Sequence, residues 1–317
     1  MPALWREVDP TRFDVLVYPW NARYLHLLPA LKRARRRGVA TLAWGHGYSK
    51  RETPWRRTLR LRVARAVDVV LTYGRSAAEG LIVNGFDAER VCVAPNALDQ
   101  RPIQEARQRW VENPGELESF RRRRGLEGRV VALYVSRLVY RHDTEILLQA
   151  WRQIRRRVPE ALLVIVGEGR AHGAMERCCH KYDLTDSVAF WGAVYDEDEL
   201  APLFLSARLF ACPRRLGLSL HHAFGYGLPV VTFDNPQTHG PEFEALESGV
   251  NGIAVTEDDL DALTESVHRL LCDPELAGEL GTAARETVLR EYTLERMVDG
   301  LLRGIARARS LAEARGA

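Results

Sequence analysis

Arg214-Arg215-Leu216-Gly217-Leu218-Ser219-Leu220-His221-His222-Ala223-Phe224-Gly225-Tyr226-Gly227-Leu228-Pro229-Val230-Val231-Thr232-Phe233 is the stretch from which the rest of this 317-residue chain can be read. A glycine turn opens a short helical segment, Gly227-Leu228-Pro229 closes it, and an apolar, partly β-branched run follows. A helix that begins in this way presents unpaired backbone N–H groups and the positive end of its dipole to an anion. Lying after the apolar run Leu209–Cys212, it reads as a phosphate seat at the end of a strand. Gly217, Leu218 and Ser219 would start the helix, with Ser219 near an N-cap position. His221 and His222 fall inside it, either as packed or solvated side chains or as partners of a ribose or sugar hydroxyl.

The same alternation extends in both directions. Apolar runs at Val15–Tyr18, Val39–Trp44, Val69–Thr72 and Val91–Ala94 come first. Val130–Val135, Leu162–Val166, Val188–Trp191, Leu209–Cys212, Pro229–Phe233 and Ile253–Val255 follow. Amphipathic stretches such as Thr144–Arg157 separate them, which predicts parallel sheets covered by helices on both faces. The polar segment Gln100–Gly128 reads as a connection. The expected organisation is a first α/β domain over 1–105, a linker over 106–127, a second α/β domain over 128–290, and a terminal helix over 291–317 packing back on the first domain.

Composition sets the class. With 46% hydrophobic and 27% charged residues the chain reads as a soluble globular protein. No apolar run approaches the roughly 20 residues that span a bilayer, and the first residues lack a signal-peptide block, so a cytoplasmic protein is expected. The five cysteines are scattered without metal spacing and read as reduced and structural. Residues 1–105 hold 18 Lys and Arg against 10 Asp and Glu. That basic excess suits anionic lipid, with peripheral contact at the inner face of the membrane, or an anionic acceptor, or simply a solvated surface. The Arg-rich runs are not interleaved with stacking aromatics, which argues against nucleic acid.

Ligands of open α/β sheets bind beyond the carboxyl ends of the strands, so the turns after strands carry the candidate chemistry. Arg137 follows Val130–Val135, and its guanidinium can fork two phosphate oxygens; Arg141 and His142 lie just beyond. Gly167-Glu168-Gly169 follows the next strand and allows either a tight turn or close approach to a ligand. Glu242 and Glu244, in Pro241-Glu242-Phe243-Glu244, can accept hydrogen bonds from sugar hydroxyls or merely favour a helix start. His46, between Gly45 and Gly47 at the end of an apolar run, is the candidate for a polar role at a reacting centre, or a structural turn residue.

In this order and spacing the stations resemble glycosyltransferase family 4, over about Asp14 to Tyr292. The resemblance implies the GT-B fold, an α/β architecture of two Rossmann-like domains facing a cleft. It also implies a nucleoside-diphosphate sugar held mainly by the second domain and transfer with retention at the anomeric carbon. No metal or other cofactor is implied, since Arg, Lys and a helix N-terminus offset the diphosphate charge. By position, His46 matches the histidine that contacts the donor sugar, and Arg137 the arginine on the diphosphate. Gly167 and Gly169 match the turn beside the nucleotide, and Gly217, Leu218 and Ser219 the phosphate-holding amides.

Three departures stand out. His142 replaces the usual lysine five residues after the arginine. Arg214 and His222 stand where the family has two glutamates; His222 can substitute in binding ribose hydroxyls, whereas Arg214 leaves the sugar contact of the first glutamate unexplained. The first domain reads as N-terminally short by at least one βα unit. The Gly-Leu-Ser…His…Tyr-Gly-x-Pro segment followed by Pro-Glu-Phe-Glu-Ala marks a branch of the family with this pattern.

The functional expectation is a metal-independent hexosyltransferase. Its acceptor would be a hydroxyl of a glycan, glycolipid or natural product, and Glu242 joins His46 in orienting the sugar. The alternatives are a catalytically silent partner of another transferase, which would bind nucleotide unproductively, and a nucleotide-sugar epimerase, which would need no acceptor.

Overall fold

A computed structural model describes residues 12–21, 27–47, 53–139 and 144–316. The chain divides into two compact units, Met1–Asn96 with Leu294–Ala317, and Ala97–Thr293.

In the first unit, β1 (Val15–Pro19), β2 (Ala40–Gly45), β3 (Val69–Thr72) and β4 (Val91–Val93) form a four-stranded parallel sheet in that order. Helices α1 (Leu27–Arg36), α2 (Pro54–Ala66) and α3 (Arg75–Val83) make the crossovers. Strands covered on both faces need apolar side chains throughout, and all four residues of β3 are buried. One face meets the long C-terminal helix (Leu294–Gly316), whose Ala308 and Ala312 are buried against Leu42, Val69 and Leu71. That helix is tied to the sheet by charge. Buried Asp68 accepts from Thr41 N at 2.9 Å and Thr41 Oγ1 at 2.8 Å, and takes Arg315 on its other oxygen.

In the second unit six parallel strands lie in the order β10-β9-β8-β5-β6-β7. They are β5 (Val130–Val135), β6 (Ala161–Val166), β7 (Val188–Phe190), β8 (Ala207–Ala211), β9 (Val230–Phe233) and β10 (Gly252–Val255). The crossover helices are α6 (Thr144–Arg157), α7 (His172–Lys181), α8 (Glu197–Ser206), α9 (Leu218–Tyr226) and α10 (Leu260–Cys272), followed by α11 (Pro274–Glu291). The core centres on Trp151, Tyr134, Phe204, Phe210, Phe224 and Phe233, all fully buried. β6 lies on one side of β5 and β8 on the other, so the winding reverses between β5 and β8. At such a switch point the loops part and leave a crevice beyond the strand ends.

The expected linker at 106–127 is instead mostly helix within the second unit: α4 (Gln100–Glu112) and α5 (Pro114–Arg123). Ile103 and Ala106 of α4 and Phe120 of α5 are buried. Gln104 Nε2 donates to Gly225 O at 3.0 Å and Arg107 Nε to Tyr226 O at 3.4 Å, meeting carbonyls that the end of α9 leaves open. Apart from Arg107, most of the dense charge that made the segment read as a connection lies on its solvent face. Among the described residues no helix is long and apolar enough to cross a membrane.

Candidate active site

Arg137 stands two residues beyond β5 and is exposed, while Leu138 beside it is fully buried and anchors the loop. The loop after β6 runs alongside. Ser136 N donates to Val166 O at 3.1 Å and Leu138 N to Glu168 O at 2.9 Å, continuing the β5–β6 pairing past the strand ends. A Cβ on Gly167 would lie 1.9 Å from Ser136 O, and one on Gly169 2.0 Å from Leu138 O; both residues have positive φ. The close approach these glycines permit is therefore to the backbone that carries Arg137. Glu168 is exposed on the same loop, its Oε1 facing Gly192 in the turn after β7. His142 and Arg141 lie outside the described residues.

Across the switch point, β8 leads through Cys212–Leu216 into α9. Gly217 is the N-cap and Leu218 and Ser219 the first two helical residues, so Ser219 sits inside the helix and no side chain caps it. The loop is held from behind by the turn after β9. Arg215 N donates to Thr238 O, Gly240 N to Leu216 O, and Leu216 N to His239 Nδ1 at 3.2 Å. Buried His239 pairs Nε2 with Phe233 O at 2.9 Å and stacks on Phe243. With Nδ1 accepting, Nε2 carries the proton, so the ring is neutral and locked.

Glu242 follows on a short 3-10 helix, Pro241–Ala245, and is only 5% exposed. Its Oε2 lies 3.9 Å from where a Cβ on Gly217 would sit, which brings the carboxylate to the start of α9. Glu244 is half-buried on the same turn. His46 is exposed just past β2 in the first unit, its ring 4.9 Å from that of Tyr73.

The two residues standing in the place of glutamates both have acidic partners. Arg214 donates Nε to Glu257 Oε1 at 3.1 Å, pairs with Asp258, and lies over the Phe233 ring at 5.2 Å. It clamps the loop after β8 to the loop after β10. His222 Nε2 lies 2.8 Å from Glu197 Oε1, and the Tyr226 hydroxyl donates to the same oxygen. Burial alone would raise the Glu197 pKa, but His222 and Tyr226 outweigh it and hold the carboxyl below its usual range. Glu197 carries no motif signal: a carboxylate in the first turn of a helix reads as ordinary dipole complementarity, and its partners are 25 and 29 residues away. His221, next to His222, points into the core. It is fully buried against Tyr292, and desolvation pushes its pKa down to about 3.

The second unit thus collects, on the carboxyl side of its sheet, an exposed guanidinium after β5, an uncapped helix start after β8, and the carboxylates of Glu242 and Glu197. A cation and a helix N-terminus at the ends of adjacent strands suit a diphosphate, and the carboxylates suit hydroxyls. Among the described residues no three His, Cys, Asp or Glu side chains gather as a metal-binding set.

The architecture is that of GT-B glycosyltransferases. The crystal structure of Anabaena HepE in complex with UDP superposes with a TM-score of 0.78 at 17% identity, covering 96% of this chain and 82% of that one. Residues 129–273 match the family described as Glycosyl transferases group 1, and residues 1–101 match Glycosyltransferase Family 4. The chain is 30% identical over 274 residues to the GDP-mannose-dependent alpha-(1-6)-phosphatidylinositol monomannoside mannosyltransferase of Mycolicibacterium smegmatis, covering 83% of this chain and 69% of the relative. The enzyme of the same name from Mycobacterium tuberculosis is 28% identical over 296 residues, 89% and 74% of the two chains. The chain belongs to glycosyltransferase family 4 and is a glycosyltransferase that uses a nucleotide sugar.

Proposed function

We propose that this enzyme moves mannose from GDP-mannose, with retention, to a hydroxyl of a lipid-linked acceptor, without a metal or other cofactor. The observation that carries the donor site is the pairing of Arg137 with the uncapped start of α9 on the adjacent strands β5 and β8. The choice of sugar and acceptor rests on the names of the mycobacterial relatives.

In this mechanism Arg137 and the amides of Gly217, Leu218 and Ser219 bind the diphosphate and stabilise the charge that develops as it leaves. Gly167 and Glu168 lie on the loop that backs Arg137. Glu242, beside Gly217, and His46 orient the sugar hydroxyls. The acceptor oxygen attacks C1 on the face from which the phosphate departs. The C1–phosphate bond breaks, the C1–acceptor bond forms, and the acceptor proton passes to the departing phosphate oxygen. An anionic acceptor or membrane face fits the first unit, where α1 and α2 carry no Asp or Glu among their many Arg and Lys.

Calorimetric titration with GDP, UDP, dTDP and their common sugars, without added metal, tests the donor. Saturable binding of the guanosine series with mannosyl transfer to a phosphatidylinositol mannoside supports the reading. Binding without turnover on any acceptor would instead identify a silent partner, and sugar interconversion without acceptor an epimerase. The anomeric configuration of the product, read by NMR, decides retention.

A further inference from the structure

Glu197 is used by neither the motif reading nor the mechanism above, yet it is built like a binding residue. It is the first residue of α8, just past the turn that follows β7, and therefore on the carboxyl side of the sheet. His222 and Tyr226 both engage Oε1; among the described residues neither bond, nor any other, uses Oε2. Phe204 packs its ring 4.7 Å from His222 and 4.8 Å from Tyr226, so the two donors are fixed in place. The side chains of Glu197 and His222 are 25% and 16% exposed, so the carboxylate is rigid but open on one side. Holding a charge in so enclosed a place calls for a reason, and its depressed pKa means it stays ionised and acceptor-only at neutral pH.

Position supplies the reason. His222 lies three residues after Ser219, about 4.5 Å along the helix axis from the start that faces the diphosphate. A nucleoside diphosphate carries its pentose one phosphoester linkage from the α-phosphate, with two adjacent hydroxyls that need an acceptor. A carboxylate with one oxygen locked by the protein and the other open meets that need.

We infer that Glu197 accepts the pentose hydroxyls of the donor, with His222 and Tyr226 as positioning residues that aim it. This rests on the donor site proposed above. The hydroxyl-reading carboxylate is thus delivered from α8, and the histidine on α9 acts through it.

The test compares GDP and UDP with their 2′-deoxy and 3′-deoxy forms by calorimetry on the wild-type chain, E197Q and Y226F. The wild type is expected to prefer the ribonucleotide about 10- to 100-fold, the range of a charge-assisted hydrogen bond. E197Q is expected to lose that preference while binding the deoxy forms as the wild type does. Y226F, which removes one donor and keeps the ring, is expected to fall between. The ratio of ribo to deoxy affinity does not depend on the fraction of folded protein, so a destabilised variant still reports. Equal wild-type affinity for ribo and deoxy forms, or an E197Q chain that discriminates as well as the wild type, overturns the inference and leaves the donor site standing. A wild-type chain that binds no nucleotide overturns the donor site, and this inference with it.

Discussion

Glu242 and Gly240 share one space: a Cβ on Gly240 would lie 2.1 Å from Glu242 Oε2 and 3.0 Å from Leu216 O. The missing side chain at 240 is what lets the carboxylate fold back toward the start of α9. Gly240→Ala is therefore expected to swing Glu242 away, with turnover falling at least tenfold and nucleotide affinity changing less. Steady-state kinetics beside GDP titration would separate the two. Equal losses in both would mean that the loop, rather than the carboxylate, had been disturbed.

Arg137 is exposed while its neighbour Leu138 anchors the loop, so Arg137→Ala should leave the melting temperature within a few degrees. Donor affinity should fall by about 1.5–3 kcal/mol, the value of a hydrogen bond to a charged group. Unchanged GDP-sugar binding in that variant would remove Arg137 from the site.

His46→Ala should lower turnover more than nucleotide affinity, because the residue is assigned to the sugar and stands in the unit without the diphosphate site. A melting temperature lowered by more than about 5 °C would point to a structural role for its contact with Tyr73.

Gly167 cannot accept a side chain without moving Ser136 O, which would lie 1.9 Å from the new Cβ. Gly167→Ala is expected to cost about 3 kcal/mol or more and to weaken nucleotide binding, since the displaced Ser136 is next to Arg137 on the loop after β5. Chemical denaturation of the two proteins checks the first part. A stability loss under about 1 kcal/mol would show that the two loops separate easily.

His221 makes folding acid-sensitive. Desolvation holds its pKa at about 3 in the folded chain against the ordinary histidine value of 6.5, so the unfolded chain binds the extra proton between those values. Stability from this residue is complete above about pH 6.5 and is lost as pH falls toward 3, by roughly 1.4 kcal/mol per pH unit. The groups around it, the Tyr292 ring and the Gln100 side chain whose amide meets the His221 carbonyl, offer no compensating charge. His221→Leu should flatten the stability–pH curve in that window, and a curve of unchanged slope would place the acid sensitivity elsewhere.

The ten strands of the described residues, their parallel alternation with helices and the start of α9 were legible in the sequence. They depend on local apolar runs, glycine turns and a two-versus-3.6 residue period, all properties of neighbouring residues. The places of Arg137 just after β5 and of Gly217 at the start of α9 were legible for the same reason, each being set by the strand it follows. The helices over 100–123 were hidden because charge on their solvent face outweighs the few apolar positions, Ile103, Ala106 and Phe120, that meet the core. What Gly167 and Gly169 approach, where Arg214 spends its charge and which carboxylate His222 holds were all decided by the tertiary structure. Each depends on a partner brought from a distant part of the chain by strand order: Ser136 and Leu138 for the glycines, Glu257 and Asp258 for Arg214, Glu197 for His222. Local sequence sets which elements form; only the order in which the sheet assembles them sets which charges meet.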